Sequence, residues 1–352
     1  MMGTEPSPTL RARLFVALQH LIPQHGLTRI VYRLTRSRRP ALKNTLIRRF
    51  LGGFHPDMSD AAERDPFRYA TFNEFFTRAL LPGARPIDPD PASLVSPVDG
   101  TISQIGPLDG QQLVQAKGRS YTLSELLDPS GGGGRAIAGT VGGGAVGGGA
   151  GGANAGAGAA GGGGSADWVR RLTGGSFATL YLAPFNYHRI HMPANGTLQG
   201  SWYIPGQLFS VNNTTAAAVP RLFARNERVV CTFEDGPVAF AMVLVGALFV
   251  GSMTTVWHGD ITPRRPRWPL DLPVGEARVS TRLDKGAEMG RFNMGSTVIL
   301  LLPPGLAQWL PGLRPGNPVR VGQPLAQMLS GSSAPTTPTA PTAPTTPTAR
   351  RN

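Results

Sequence analysis

Arg291-Phe292-Asn293-Met294-Gly295-Ser296-Thr297-Val298-Ile299-Leu300 is a short loop that runs into an apolar, β-branched segment. Thr297, Val298 and Ile299 favour extended backbone, so a buried strand is expected over 296–302. Gly295 gives the chain the freedom a strained turn needs. Ser296 sets a hydroxyl beside an uncrowded carbonyl. Taken alone, Gly-Ser-Thr ahead of a strand reads as a turn.

Working outward, most of the chain beyond Leu94 has the same short-strand character. Further strands are expected at 94–105, 111–117, 176–183, 197–204, 228–234, 238–257 with breaks near Gly246 and Gly251, 277–283 and 319–328. Many short strands between Gly and Pro turns predict an α+β, mainly β fold. The expected core is a compact antiparallel β barrel or sandwich, with amphipathic helices at the N-terminus. Thr71-Phe72-Asn73-Glu74 and Thr122-Leu123-Ser124-Glu125 are capping boxes. They predict a helix from Thr71 to about Leu80 and a short one ending before Pro129.

Three helices are expected before residue 52, at 8–22, 27–36 and 41–51. In the first, Leu10, Leu14, Ala17, Leu18 and Leu21 share a face. Arg29, Arg33, Arg36, Lys43, Arg48 and Arg49 lie among apolar residues in the other two. Residues 1–50 hold ten Lys or Arg and one acid, Glu5, so most of the net charge of +13 sits there. Such helices suit an anionic membrane surface or form the solvated face of an ordinary subdomain. No aromatic stacking pattern points to nucleic acid. No apolar run reaches the roughly 18 residues of a membrane span. Cys231 is the only cysteine, which excludes an internal disulfide and suits a reducing compartment.

Residues 131–164 contain nineteen glycines and a single charge, Arg135. That composition cannot offset its ordering entropy, so a flexible insertion is expected. The Pro/Thr-rich end, 331–352, is expected to be a disordered tail. The expected organisation is therefore a basic helical membrane-binding region at 1–65, a main domain at 66–330 and the tail.

Candidate chemistry gathers in three further places. Pro97-Val98-Asp99-Gly100 reads as a turn or as the setting of a carboxylate. Tyr187-His188-Arg189-Ile190-His191-Met192-Pro193 carries two histidines three residues apart, either satisfied in the core or catalytic. Phe75-Phe76-Thr77-Arg78 with Gly83-Ala84-Arg85-Pro86-Ile87 has the character of a clamp for an N-terminal helix. No histidine pairs with Cys231 at metal-ligand spacing, so no metal is expected. Asp99, His191 and Ser296 have the residue types of an orienter, a base and a nucleophile. A hydrolase elbow, Gly-x-Ser-x-Gly, is absent, since Val298 stands at its last position.

With these pieces in order, the chain resembles bacterial phosphatidylserine decarboxylase proenzymes of the pyruvoyl-dependent class. The resemblance covers roughly 65–329 outside the glycine-rich insertion. It rests on the motifs above, and on Gln115-Ala116-Lys117-Gly118, Leu222-Phe223-Ala224-Arg225-Asn226-Glu227-Arg228, Gly246-Ala247-Leu248-Phe249-Val250-Gly251-Ser252 and Glu288-Met289-Gly290-Arg291-Phe292. Met294 stands where Leu is usual, and Asn186 where Asp is usual. The resemblance implies self-cleavage between Gly295 and Ser296, with His191 as base and Asp99 holding its imidazole. It implies a β chain 1–295, an α chain 296–352 and a covalent pyruvoyl group derived from Ser296. That group would bind phosphatidylserine as a Schiff base and release carbon dioxide and phosphatidylethanolamine. His188 would place the substrate carboxylate or donate a proton. The implied location is the cytoplasmic side of the cell membrane, peripherally bound, with a dimer of αβ units as a further expectation. A Ser-His-Asp hydrolase, or a pyruvoyl decarboxylase of a soluble amino acid, is the alternative.

Overall fold

The computed structural model describes residues 16–19, 22–116, 118–128, 164–248, 252–261, 270–272 and 281–329. Most of the expected helix 8–22, nearly all of the glycine-rich insertion and the Pro/Thr tail lie outside the described residues.

Two segments dictate the centre. Val238–Val245 (VAFAMVLV) and Thr297–Leu302 (TVILLL) are unbroken apolar runs, and every residue in both is buried. Such runs suit strands covered on both faces, whereas alternating patterns suit strands with one wet face. They pair antiparallel, Thr297 opposite Val245 and Leu301 opposite Ala241. Around them a nine-stranded sheet runs in the order Leu270–Asp271, Gly196–Ile204, Arg228–Asp235, Val238–Val245, Thr297–Leu302, Ser176–Tyr181, Gly100–Pro107 and Pro318–Val319. Arg282–Leu283 also pairs with Gly196–Ile204. The described strands run from edge to edge and do not close into a barrel.

The two faces of this sheet build two cores. Val298, Leu300, Leu302, Met242 and Leu244 point to one side; Ile299, Leu301, Ala241, Val243 and Val245 point to the other. The alternation follows from the two-residue period of a strand. Trp168, Leu126 and Phe223, from short helices, cover the second side. Two smaller sheets cover the first. One has the order Gly259–Ile261, Met253–Thr255, Glu288–Phe292, Arg189–His191; the other has Ser93–Val95, Pro324–Met328, Ala307–Trp309. The architecture is thus α+β and mainly β, a sheet on sheets on one side and helices on sheet on the other.

Helices Gln24–Thr35 and Pro40–Phe54 form close to their expected bounds. Phe50 packs edge-on against Phe72, Phe75 and Phe76, so the second helix is clamped by the short helix Phe72–Phe76. That helix stops well before Leu80, because Thr77 turns its hydroxyl back onto the Asn73 carbonyl at 2.9 Å. Its cap is only half a capping box: Thr71 accepts from Glu74 N, but Glu74 reaches Ala70 N. Thr122 and Glu125 do form the reciprocal pair. Lys43 is not part of a solvated basic face; it is buried, and its ammonium donates to the carbonyls of Phe67 and Tyr69.

Glu227 is buried on the sheet and takes a hydrogen bond from Tyr203 Oη at 2.9 Å. Burial pushes its carboxyl up to about 7, against a smaller opposing effect of the Tyr203 bond. The folded chain therefore keeps a proton here that the unfolded chain loses near 4.5. Stability from this group is present at low pH and declines as pH rises towards 7. Glu227→Gln should flatten that decline. Its melting temperature at pH 8 should exceed that of the wild type by several degrees, at roughly 2–4 °C per kcal/mol. Parallel melting curves for the two forms between pH 5 and 8 would contradict this.

Candidate active site

Ser296 sits where the chain crosses between sheets. Ahead of it, Glu288–Phe292 belongs to the four-stranded sheet; after it, Thr297–Leu302 runs down the middle of the large one. The Leu182 amide donates to the Ser296 carbonyl at 2.9 Å and fixes this corner. Ser296 is fully buried, and its Oγ has no hydrogen-bond partner among the described residues.

Gly295 is not in the left-handed region, so the expected backbone strain does not explain it. Space does. A Cβ here would lie 3.3 Å from the Leu182 carbonyl oxygen and 3.4 Å from His188 Cε1. Met294 and Gly295 line an apolar cavity of about 290 Å³, together with Phe50, Phe54, Phe76 and Pro184.

Strand register explains which histidine reaches this point. Arg189 pairs with Arg291, Ile190 with Gly290 and His191 with Glu288. The Phe292 amide donates to the His188 carbonyl at 3.0 Å. His188 is therefore level with the end of the strand that leads to Gly295, and His191 lies roughly 10 Å further back. The His188 ring is fully buried and stacks on Phe76, centroids 4.1 Å apart. Nε2 meets the Pro184 carbonyl at 3.2 Å, and Nδ1 has no partner among the described residues. Burial lowers its pKa to about 3; the Pro184 bond opposes this and the nearby Arg78 charge adds to it. The ring is neutral at pH 7.

Asp99 lies in the same corner. Thr101 and Thr297 both pair with Tyr181, so the strands starting near Asp99 and Ser296 begin level, with one strand between them. Gly100 must be glycine, since a Cβ would come within 2.4 Å of the Tyr181 carbonyl oxygen. The Asp-Gly pair thus opens a strand. His191 N donates to the Pro97 carbonyl at 2.8 Å, which ties His191 to the segment just ahead of Asp99.

The expected hydrogen-bonded relay is not present among the described residues. Asp99 is held by Arg85 Nε at 3.0 Å and Nη2 at 2.6 Å, and by the Val321 amide at 2.9 Å. His191 Nδ1 meets the Gly286 carbonyl at 2.7 Å, and Nε2 meets Tyr187 Oη at 3.0 Å. Asp99 therefore grips a guanidinium in place of the imidazole, the bidentate geometry being the stronger match for a carboxylate. Burial works against the Arg85 charge, but bonds to Asp99 and Asp60 outweigh it and hold it above its usual value. His191 is lowered by burial, while the Gly286 bond and the Glu288 and Asp99 charges act in the other direction. Arg85, Tyr187 and Phe76 were legible as motif residues, but nothing in the spacing assigns them these contacts. Asn186, where Asp is usual, caps a local turn by accepting from Ala183 N at 2.7 Å.

A family model for phosphatidylserine decarboxylase matches residues 72–327. The chain belongs to the phosphatidylserine decarboxylase family. A second model, described as PSD, matches residues 14–55. Relatives in this family include the phosphatidylserine decarboxylase proenzyme of Bordetella pertussis, 44% identical over 89% of this chain and 94% of that one. The proenzymes of Acidovorax ebreus and Chromobacterium violaceum are each 45% identical, over 89% of this chain and 97% and 99% of theirs. Among the described residues no cluster of His, Cys, Asp or Glu could hold a metal ion, and no helix is long and apolar enough to cross a membrane.

Proposed function

We propose that the chain decarboxylates phosphatidylserine to phosphatidylethanolamine after cutting itself between Gly295 and Ser296. The observation that carries this is Ser296 itself, a buried hydroxyl with no hydrogen-bond partner among the described residues, directly after a glycine at a junction of two sheets. The site fits a group made from Ser296: the Oγ has no partner among the described residues, and the adjoining cavity is lined mainly by apolar side chains. A pyruvoyl group there supplies a carbonyl that takes up the electrons freed when an amino acid loses its carboxylate.

His191 is proposed as the base for the cut. A ring with a pKa near 3, as in His188, is a poor acceptor for a hydroxyl proton. Burial lowers His191 as well, but there the Gly286 bond and the Glu288 and Asp99 charges act against it. Asp99 acts through this field and through Arg85. His188, against Gly295, then places the substrate carboxylate or returns a proton. A second reading makes His188 the base, favoured by that same contact. The apolar cavity is proposed to take the part of the lipid nearest its serine headgroup. No histidine is bonded to Ser296 among the described residues, so experiment separates the hydrolase alternative: an unprocessed chain that reacts with a serine-directed probe would favour it. Release of carbon dioxide from carboxyl-labelled phosphatidylserine tests the reading; release from free serine at a similar rate would favour the soluble-substrate alternative.

The products are proposed to stay together as chains 1–295 and 296–352, since Thr297–Leu302 lies between two strands of the larger piece. The protein is proposed to sit peripherally on the cytoplasmic face of the membrane. Ile30, Leu34 and Phe54 are large apolar side chains left exposed, with Arg29, Arg33, Arg48 and Arg49 exposed beside them in sequence. Replacing Arg29 and Arg33 by Gln with Ile30 and Leu34 by Ser should weaken binding to anionic vesicles at least about tenfold, at roughly 1 kcal/mol per basic residue. The wild type should also be the more salt-sensitive. Unchanged cosedimentation would remove this face from the membrane assignment.

A further inference from the structure

A second cavity, of about 470 Å³, shares no lining residue with the apolar one. It is polar. Arg36 and Arg38, just after helix Gln24–Thr35, face Arg291 of strand Glu288–Phe292 across it. Glu74 and Asp260 are the acids at its wall, so the cations outnumber them.

The cations are incompletely matched. Arg36 stacks over Tyr32 at 3.7 Å, pairs loosely with Asp260 at 3.6 Å and reaches the Ser252 hydroxyl at 3.5 Å. Arg291 Nη2 pairs with Glu288 at 3.0 Å, while its Nε is buried with no partner among the described residues. Arg38 is exposed, with no acid at ion-pair distance among those residues. Asp260 and Glu74 are partly engaged elsewhere, the first by the Thr254 hydroxyl at 2.6 Å and the second by the Ala70 amide at 3.3 Å.

We propose that this cavity binds a phosphate monoester or diester through Arg36, Arg38 and Arg291. Guanidinium forks match phosphate oxygens bidentately, and the partly exposed Arg291 fork, with its Nε unpartnered among the described residues, has hydrogen-bonding capacity to spare. The site also touches the cleavage loop. Asn293, two residues before Gly295, lines the cavity and is held by Asn73, Ser252 and Thr254 at 3.2, 2.7 and 3.1 Å. The ligand source is either a lipid headgroup or a free phosphate.

The test uses the full chain and Arg38→Gln, whose side chain is exposed and carries no core contact. Inorganic phosphate is titrated by calorimetry at ionic strength held constant with chloride. Saturable binding to the wild type is expected, weakened about tenfold in Arg38→Gln, as loss of one charge-assisted contact implies. Cosedimentation with phosphatidic acid in phosphatidylcholine vesicles is then repeated with phosphate added. Competition assigns the site to a lipid headgroup; saturable phosphate binding without competition assigns it to a soluble phosphate. Either result supports the site. No saturable binding above chloride, or equal binding by Arg38→Gln, overturns it. Decarboxylation is not the readout, so failure here leaves the proposed function standing.

Discussion

Ser296→Ala is expected to remain a single 352-residue chain and to release no carbon dioxide from phosphatidylserine. The variant lacks the one oxygen that can attack the Gly295 carbonyl and then leave. Without it neither the cut nor the carbonyl that follows can form. The expected loss of activity is total within assay limits, at least about six orders of magnitude if the enzyme reaches the usual acceleration. Folding should survive. The Ser296 hydroxyl is buried and unpaired among the described residues, and a buried unsatisfied polar group costs about 1–3 kcal/mol. Its removal should leave the melting temperature unchanged or higher. Ser296→Cys should cut partially, because sulfur is both a nucleophile and a leaving group. Decarboxylation by uncut Ser296→Ala would remove Ser296 from the mechanism.

Next in size is the separation of the two histidines. His191→Ala should slow self-cleavage by about 10²–10⁴-fold, the usual contribution of a general base. His188→Ala should still cut, but the cut enzyme should decarboxylate slowly. Gels read the first and carbon dioxide release the second. The reverse pattern would establish the second reading, with the histidine against Gly295 as base. The pH dependence gives an independent check. His191 acts as base only when neutral, and burial moves its pKa below 6.5. Cleavage should therefore be flat across neutral pH and fall only as pH drops through that lowered value. An acid limb above 6.5 would contradict His191 in this role.

The sequence carried the sheet better than its neighbours. TVILLL and VAFAMVLV read as strands because unbroken β-branched and apolar runs have few other homes. Arg189–His191 and Glu288–Phe292 were not legible as strands, being short and carrying charged residues on a partly exposed sheet. Yet their pairing decides that His188, and not His191, reaches Gly295. Spacing along a chain cannot show that, because a shift of register would exchange the two rings. For Asp99 the residue type was legible and its partner was not. Arg85 stands fourteen positions earlier, and the contact depends on how that segment folds over the strand end. Lys43 misled for a related reason: helical spacing placed it among basic residues, but two carbonyls of a neighbouring loop take it into the interior.

The most direct test of the self-cleavage account is the mass of the purified wild-type protein under denaturing conditions, followed by borohydride treatment in the presence of phosphatidylserine. Two pieces are predicted, of 295 and 57 residues (352 − 295), the smaller with an N-terminus blocked to sequencing. Lipid mass should be fixed on the 57-residue piece alone. A single chain of 352 residues that still decarboxylates, or lipid fixed on the 295-residue piece, would contradict it.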